Sequence, residues 1–386
     1  MNKKTINFLI FASCCAFLSF AFSGCVSFVQ KVKTADDIQK LIDSSPFNGG
    51  DLLLPQGIYL IDKTIIISSN TNLRGVGSST LLFAGKSFSG PIFTNSSWTQ
   101  GNQNIKISNL RIVGSSAEKS LSSNNYHKRA YAMSLSEIDN LAIYFKNLKS
   151  AEIEDLEIED FKNEAIMLVN SSNISILKNK IKNCSQKAHE NDWAQGAIYL
   201  RHSSENQIRG NMIFDCYEGG IVAGFDSHEN VISTNTVKNS QSGEGVFIGC
   251  GNENIVYNNN VENVSHADLG SGAGIAISVP PSINKEKSPA KNNIIIGNIV
   301  NITGGSGISL YRADSNKVLF NSVSKANQNS KNGRGGISVY EAEANQVIGN
   351  RATNCLCPGI SVQKAKDFTI RFNALDNNSI PGIKTP

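Results

Sequence analysis

Charge is scarce in this chain. Asp, Glu, Lys and Arg make up 18% of its 386 residues, and the formal net charge is only +4. Two of the positive charges, Lys3 and Lys4, fall in a leader, and the rest of the chain carries 34 Lys and Arg against 32 Asp and Glu. That balance gives no bulk electrostatic case for a nucleic-acid partner, so any anionic ligand has to be held by local charge. Metal spacing is also missing. The cysteines past Cys25 are Cys184, Cys216, Cys250, Cys355 and Cys357, an odd set whose intervals match no zinc pattern. Apolar material is not short: 40% of the residues are hydrophobic, enough for a core and too many for a disordered chain. The length suits one large domain or two ordinary ones.

The chain begins "MNKKTINFLIFASCCAFLSFAFSGC", a basic start, an apolar run of about 15 residues and then small residues. This is the pattern of a secretory signal peptide over residues 1–24, too short and one-sided for a comfortable membrane span. Its end, "FSGC", resembles a bacterial lipobox, with Phe22 where that pattern prefers leucine. The resemblance implies lipidation at Cys25 and an exported protein attached to the cell envelope through that lipid alone; ordinary cleavage and free secretion is the other reading.

Past the leader the sequence repeats. An I-x-x-N-x-I pattern places its N position at Asn109, Asp155 (the one variant), Asn179, Asn211, Asn235, Asn259, Asn298, Asn321, Asn350 and Asn373. The unit is 23–24 residues, lengthened in four places. About 15 residues before most of these comes a second short apolar run, such as "AIML", "AIYL", "GVFI" or "GISV". Each unit is two or three short strands separated by Gly, Asn and Ser turns. No unit has a helical period, which disfavours leucine-rich and helical repeats. A unit this short cannot bury its own apolar face, but a stack of them can. Asparagines stacked at one turn can hydrogen-bond from rung to rung, so one column stays Asn. The expected fold is all-β: a single-stranded right-handed parallel β-helix over residues 51–383. Residues 34–50 are expected to form its N-terminal cap, with "TADDIQKLIDSSP" as a short amphipathic helix N-capped by Thr34. The stretch "GGDLLLPQGIYLIDKTIIISSNTNLRGVG" resembles the first rungs of the pectate-lyase-like superfamily, and the likeness runs from about residue 34 to 383. That scaffold carries lyases, hydrolases, epimerases and inert spikes, so it implies fold and not function. No matching C-terminal cap follows Ile383.

Aligning the second strand rung by rung puts Ile166, Ile198, Val222, Val246, Ile275, Ile308, Ile337 and Ile360 inward. The outward column beside it then reads Val169, Arg201, Phe225, Gly249, Ser278, Tyr311, Tyr340 and Gln363. Insertions near residues 113–135, 184–195, 264–273, 280–290 and 326–334 border this strand and are expected to wall a groove suited to a polymer. They carry "YHKRAY" with Lys128 and Arg129, and "HENDW" with Trp193. Aromatics stack on sugar rings, and Arg or Lys pairs with carboxylate or sulfate. On the same face Tyr311, Arg312, Tyr340 and Glu341 form a patch that reads as a substrate-binding or adhesion surface.

The turns after this strand read "HSSEN", "DSHEN" and "CGNEN". Glu and Asn recur every 24 residues and belong to the scaffold; Asp226 and His228 do not. "GFDSHE" resembles the "GFDPHE" strand end of the mannuronan C5-epimerases, in which the Asp and His are catalytic; the resemblance implies that role for Asp226 and His228. The chain departs from that pattern in three ways. Ser227 replaces the proline, Ala223 stands where the family has a catalytic tyrosine, and Gly249 stands where it has a further Asp.

Lyases and epimerases of uronates both remove the C5 proton, which takes a base and a group that neutralises the neighbouring carboxylate. Here His228 would be the base oriented by Asp226, Tyr199 the acid, Arg201 the carboxylate clamp and His202 a second base. A surface Arg201–Asp226 ion pair with two idle histidines is the bland alternative. Hydrolysis takes two carboxylates about 5–10 Å apart. Asp226 lacks an evident mate, and the Asp–Asp and Gly–His–Gly pattern of polygalacturonases is missing. The expectation is therefore an enzyme, a polysaccharide lyase acting on an acidic polysaccharide by β-elimination. Glycoside hydrolysis or C5-epimerisation, and non-catalytic glycan binding, are the alternatives. No cofactor is required by these residues. A Ca²⁺ ion can share the neutralising role, as in several related lyases, though no ligand cluster specifies one. Cys184 and Cys216 each follow a ladder Asn by five residues on consecutive rungs, placing them in disulfide range or as stacked buried thiols.

Overall fold

The computed structural model describes residues 33–45, 49–115, 132–186, 196–265, 272–328 and 334–384. Nearly all of it is short parallel strands. A typical coil contributes Gly196–Arg201 to one sheet, and Gln207–Arg209 and Met212–Phe214 to the other. The first sheet has 12 strands and the second 23. Each strand pairs in parallel with its counterpart one coil away, as Ile198 does with Ile221 and Ile221 with Val246. The chain is a right-handed parallel β-helix.

One continuous core fills the coil. Ile198, Ile221, Val246, Ile275, Ile308, Ile337 and Ile360 stack from the 12-stranded side. Ile213, Val237, Val261, Val300 and Val323 meet them from the other. Residues before the first column are small because the two sides converge there. A Cβ added at Gly245 would stand 2.7 Å from the carbonyl oxygen of Gly274 and run into Val261.

Two buried asparagine columns, not one, run along the corners. Asn179, Asn211, Asn235, Asn259, Asn298, Asn321, Asn350 and Asn373 form one. Asn206, Asn230, Asn254, Asn293 and Asn316 form the other, with Asn345 continuing it by its Oδ1. In each, Oδ1 accepts the backbone N–H and the Nδ2–H of the preceding asparagine, and Nδ2 also donates to a backbone carbonyl. The first two positions of the sequence pattern fall one residue off this column. Asn179 accepts the N–H of Leu156, so Leu156 holds the ladder place, while Asp155 and Asn109 occupy left-handed turn positions at φ 51 and 58. An asparagine tolerates either place, so spacing alone could not separate them.

The helix Ala35–Asp43 buries Ala35, Ile38 and Ile42 against the core. Its first turn is closed by the Asp37 carboxylate, which accepts the N–H of Thr34 at 2.8 Å. All five described cysteines are buried free thiols. Cys184 and Cys216 donate to the carbonyls two residues back, at 3.3 and 3.5 Å, and burial raises both pKa values, that of Cys216 to about 12.

Candidate functional site

The outer face of the 12-stranded sheet is where the chain breaks its own repeat. One rung there is a residue longer than its neighbours. Where other rungs leave this sheet through a single left-handed residue, such as His202, Cys250, Arg312, Glu341 or Lys364, the rung Gly219–Gly224 leaves through two, Phe225 at φ 47 and Asp226 at φ 61. The extra residue corrects the strand alignment expected from sequence. Ile221, not Val222, pairs with Ile198 and faces the core. Val222 lies outward between Tyr199 and Phe247, Ala223 is a core residue between Leu200 and Ile248, and Gly224, not Phe225, stands between Arg201 and Gly249. A one-residue slip turns each side chain to the opposite face, and the bulge restores register only beyond the strand.

The outward column along this face is therefore Val169, Arg201, Gly224, Gly249, Ser278, Tyr311, Tyr340 and Gln363. Its early half is covered. Tyr144, Met167, Tyr199, Val222 and Phe247 form a second apolar cluster with Ala132, Ile138 and Leu141 from the preceding loop. Tyr199 is fully buried, and Arg201 is 2% exposed with its guanidinium 4.1 Å from the ring centre of Phe225. Tyr199 leans over Gly224, its hydroxyl 3.4 Å from where a Cβ there would sit, and the Phe247 ring lies over Gly249. These rings, with Phe225, Cys250 and Pro280, line an apolar hollow of about 10 Å³, room for roughly one water.

Beside this column runs the row of turn residues. His202 is half-buried and its pKa is lowered from 6.5, first by burial and then by Arg201, against an opposing pull from Asp226 one rung on. The imidazole is thereby kept neutral at pH 7. Asp226 is exposed. His228 does not orient on it: its Nδ1 lies 3.5 Å from Glu229. No Arg201–Asp226 ion pair forms. Burial raises the Cys250 thiol to about 11.

On the later rungs the apolar cluster ends and the outward column is partly exposed. Tyr311 and Tyr340 are neighbours on successive rungs, stacked with ring centroids 5.7 Å apart at 27°, and both are partly exposed. The Lys364 ammonium sits 5.2 Å from the Tyr340 ring centre and 3.0 Å from the Glu341 carboxylate. Tyr340 and Glu341 raise the pKa of Lys364, and Lys364 lowers that of Glu341. Arg312, grouped with this patch by sequence, has another task. Its guanidinium donates to the carbonyls of Pro280 at 2.6 Å and of Val279 and Ile283 at 3.4 Å. Together with the Lys285–Asp314 ion pair at 2.7 Å it fastens the 280–290 loop as a wall of the face. Sequence spacing could not show this, because the partners are backbone carbonyls. The apolar cover was missed too, although the column of large apolar residues Tyr144, Met167, Tyr199 and Phe247 was its signal. Cys25, Lys128, Arg129 and Trp193 lie outside the described residues.

The family model for the right-handed beta helix region matches residues 133–280, and that for the periplasmic copper-binding protein NosD matches residues 282–384. Comparison with curated proteins by sequence gives no match. Among solved structures, the chain is similar to the surface adhesin PfbA of Streptococcus pneumoniae, with 14% identity over 92% of this chain and 91% of that one and a TM-score of 0.70. It is also similar to the A-module of the Azotobacter vinelandii mannuronan C-5 epimerase AlgE6, at 13% identity over 92% and 100% with a TM-score of 0.58. The catalytic domain of a GH87 alpha-1,3-glucanase gives 13% identity over 92% and 67%, also with a TM-score of 0.58. At these identities the likenesses establish the fold and leave the site to its own chemistry.

Copper does not fit the described residues. No three His, Cys, Asp or Glu side chains among them stand close enough to hold an ion. The soft donors within 282–384, Cys355 and Cys357, are buried in the core. The same donor shortage leaves Ca²⁺ without a described cage.

Proposed function

We propose that the protein works outside the cytoplasm, tethered at Cys25, and that it holds an acidic polysaccharide along the outer face of its 12-stranded sheet. The observation that carries this reading is the stacked pair Tyr311–Tyr340, partly exposed and flanked by the Lys364 ammonium. A flat aromatic pair offers a sugar ring its apolar face, and the neighbouring cation takes a uronate or sulfate. The face runs along the stack, which suits a chain more than a single sugar. The basic-then-apolar leader supports export, and similar folds include a surface adhesin and a periplasmic alginate epimerase.

A second reading, β-elimination, is favoured by the placement of the half-buried His202 beside Arg201 and Asp226, where burial lowers its pKa and favours the neutral imidazole. A neutral imidazole takes the C5 proton of a bound uronate while Arg201 balances the carboxylate. The C4–oxygen bond breaks, C4 and C5 become doubly bonded, and the leaving oxygen takes a proton from solvent. Tyr199 and Arg201 are covered in this conformation, so this route needs the cover to shift. His228 and Asp226 at the rim remain candidates for the base and its partner. Hydrolysis and C5-epimerisation share the face and would use the same bound polymer.

The test is calorimetric titration of the whole chain with polygalacturonate, alginate and heparin, beside Tyr311→Ala/Tyr340→Ala, following absorbance of unsaturated uronate ends with and without Ca²⁺. Binding lost in the double variant with unchanged Tm supports the glycan face. Absorbance that disappears in His202→Gln adds the lyase; new reducing ends without absorbance indicate hydrolysis. No heat with any polymer, or heat unchanged in the double variant, sinks the proposal.

A further inference from the structure

A second surface breaks the repeat, on the corner between the two strands that each coil gives to the 23-stranded sheet. Successive coils turn that corner through one left-handed residue: Lys178, Gly210, Thr234, Asn258, Gly297, Phe320, Gly349 and Phe372. Glycine and asparagine adopt this conformation readily, whereas a bulky side chain does so at a cost. Phe320 and Phe372 accept that cost at φ 54 and 57, and they bury little in return, being 63% and 87% exposed. Neither the fold nor the core calls for a phenylalanine there.

The arrangement around them is specific. Gly349 lies between the two on the intervening rung, and the Phe320 ring lies across it, 2.5 Å from where a Cβ would sit. The backbones of Phe320 and Phe372 thus stand two rungs apart, about 10 Å along the stack, with the Phe320 ring reaching over the rung between them. Arg371 directly precedes Phe372, and Arg351 follows Gly349 by two residues on the other side of the corner. Both are exposed, and among the described residues neither enters an ion pair. Aromatic rings at intervals along a straight edge, with guanidinium groups on either side, match a polymer with flat apolar ring faces and regularly spaced anions.

We propose that the corner carrying Phe320, Gly349 and Phe372 is a second glycan-binding strip, taking an acidic polysaccharide laid along the stack. Phe320 and Phe372 stack on the sugar rings, while Arg351 and Arg371 pair with the carboxylates or sulfates beside them. This strip is separate from the tyrosine face and does not depend on it.

The experiment measures retardation of the whole chain in native gels containing polygalacturonate or heparin, with neutral dextran as control, and uses Tyr311→Ala/Tyr340→Ala as background to remove the other face. Phe320→Asn/Phe372→Asn uses the residue the repeat itself places at Asn258, so the fold is retained and Tm is unchanged or higher. The expected result is at least a fivefold loss of retardation in that variant and in Arg351→Gln/Arg371→Gln, with no change in dextran. Retardation that persists at full strength in both variants overturns the proposal. So does its absence in the tyrosine background itself, or sedimentation showing that the Phe variants only split a dimer. Binding confined to phosphatidylglycerol vesicles would assign the corner to a membrane and equally overturn it.

Discussion

Asn211 donates from Nδ2 to Oδ1 of Asn235 at 3.0 Å, and the same oxygen accepts the backbone N–H of Asn211 at 2.9 Å. Both residues are buried. Each asparagine thus closes the corner of the coil before it, and the column stands or falls as a series. Asn235→Ala leaves two buried donors on Asn211 without that acceptor and removes a donor to Ile208. A destabilisation of about 3 kcal/mol is expected, read as a lower urea midpoint. A change within 0.5 kcal/mol would show the ladder to be ornamental.

Glycines on the two faces should differ. Gly245→Ala drives a methyl toward the Gly274 carbonyl and Val261, where backbone blocks relaxation, and is expected to cost about 1–3 kcal/mol. Gly224→Ala meets side chains rather than backbone, the Tyr199 ring at 3.2 Å and Val222 at 3.7 Å, so its cost should be within about 1 kcal/mol. Thermal melts of the pair decide it: equal losses would mean the converging core is not what keeps that column small.

His202 gives the fold a pH dependence with a definite sign. Its folded pKa lies below its unfolded value, so the unfolded chain binds the proton first as pH falls. The contribution is complete above about pH 6.5, and it is lost as pH drops through that value toward the folded pKa. His202→Gln should flatten the fall in stability below about pH 6.5. Asp226→Asn removes the one upward pull and should lower the imidazole pKa further, visible as a shifted histidine titration by NMR. An upward shift would contradict the arrangement.

The wall at 280–290 should come loose without its clasp. Arg312→Ala removes the guanidinium bonds to Val279, Pro280 and Ile283. Limited trypsin digestion is expected to cut after Lys285 or Lys287 roughly tenfold faster, while the coil resists. Unchanged cleavage would mean Lys285–Asp314 suffices alone.

What the sequence determined by itself was the stack. A 23–24-residue period, short β-branched runs and recurrent asparagines admit few folds, because each unit can bury its apolar face only on copies of itself. The scaffold role of Asn206, Asn230 and Asn254, and the departures at Asp226 and His228, were also open to reading. The register of the bulged rung was misread by anchoring on the turn. The small-residue and isoleucine pair, Gly220–Ile221 beside Ala197–Ile198 and Gly274–Ile275, was the better anchor, since the core, not the turn, decides which side faces in. Only the tertiary structure decided what lies on the outer face. Its early half is sealed by Leu141, Tyr144, Met167 and Tyr199 and its late half is left to Tyr311 and Tyr340. Arg312 was assigned to a loop and Phe320 to an exposed corner by contacts between residues about 30 positions apart. A repeat fixes which residues share a column; which columns are covered depends on where the insertions fold, and their sequences carry no period to say so.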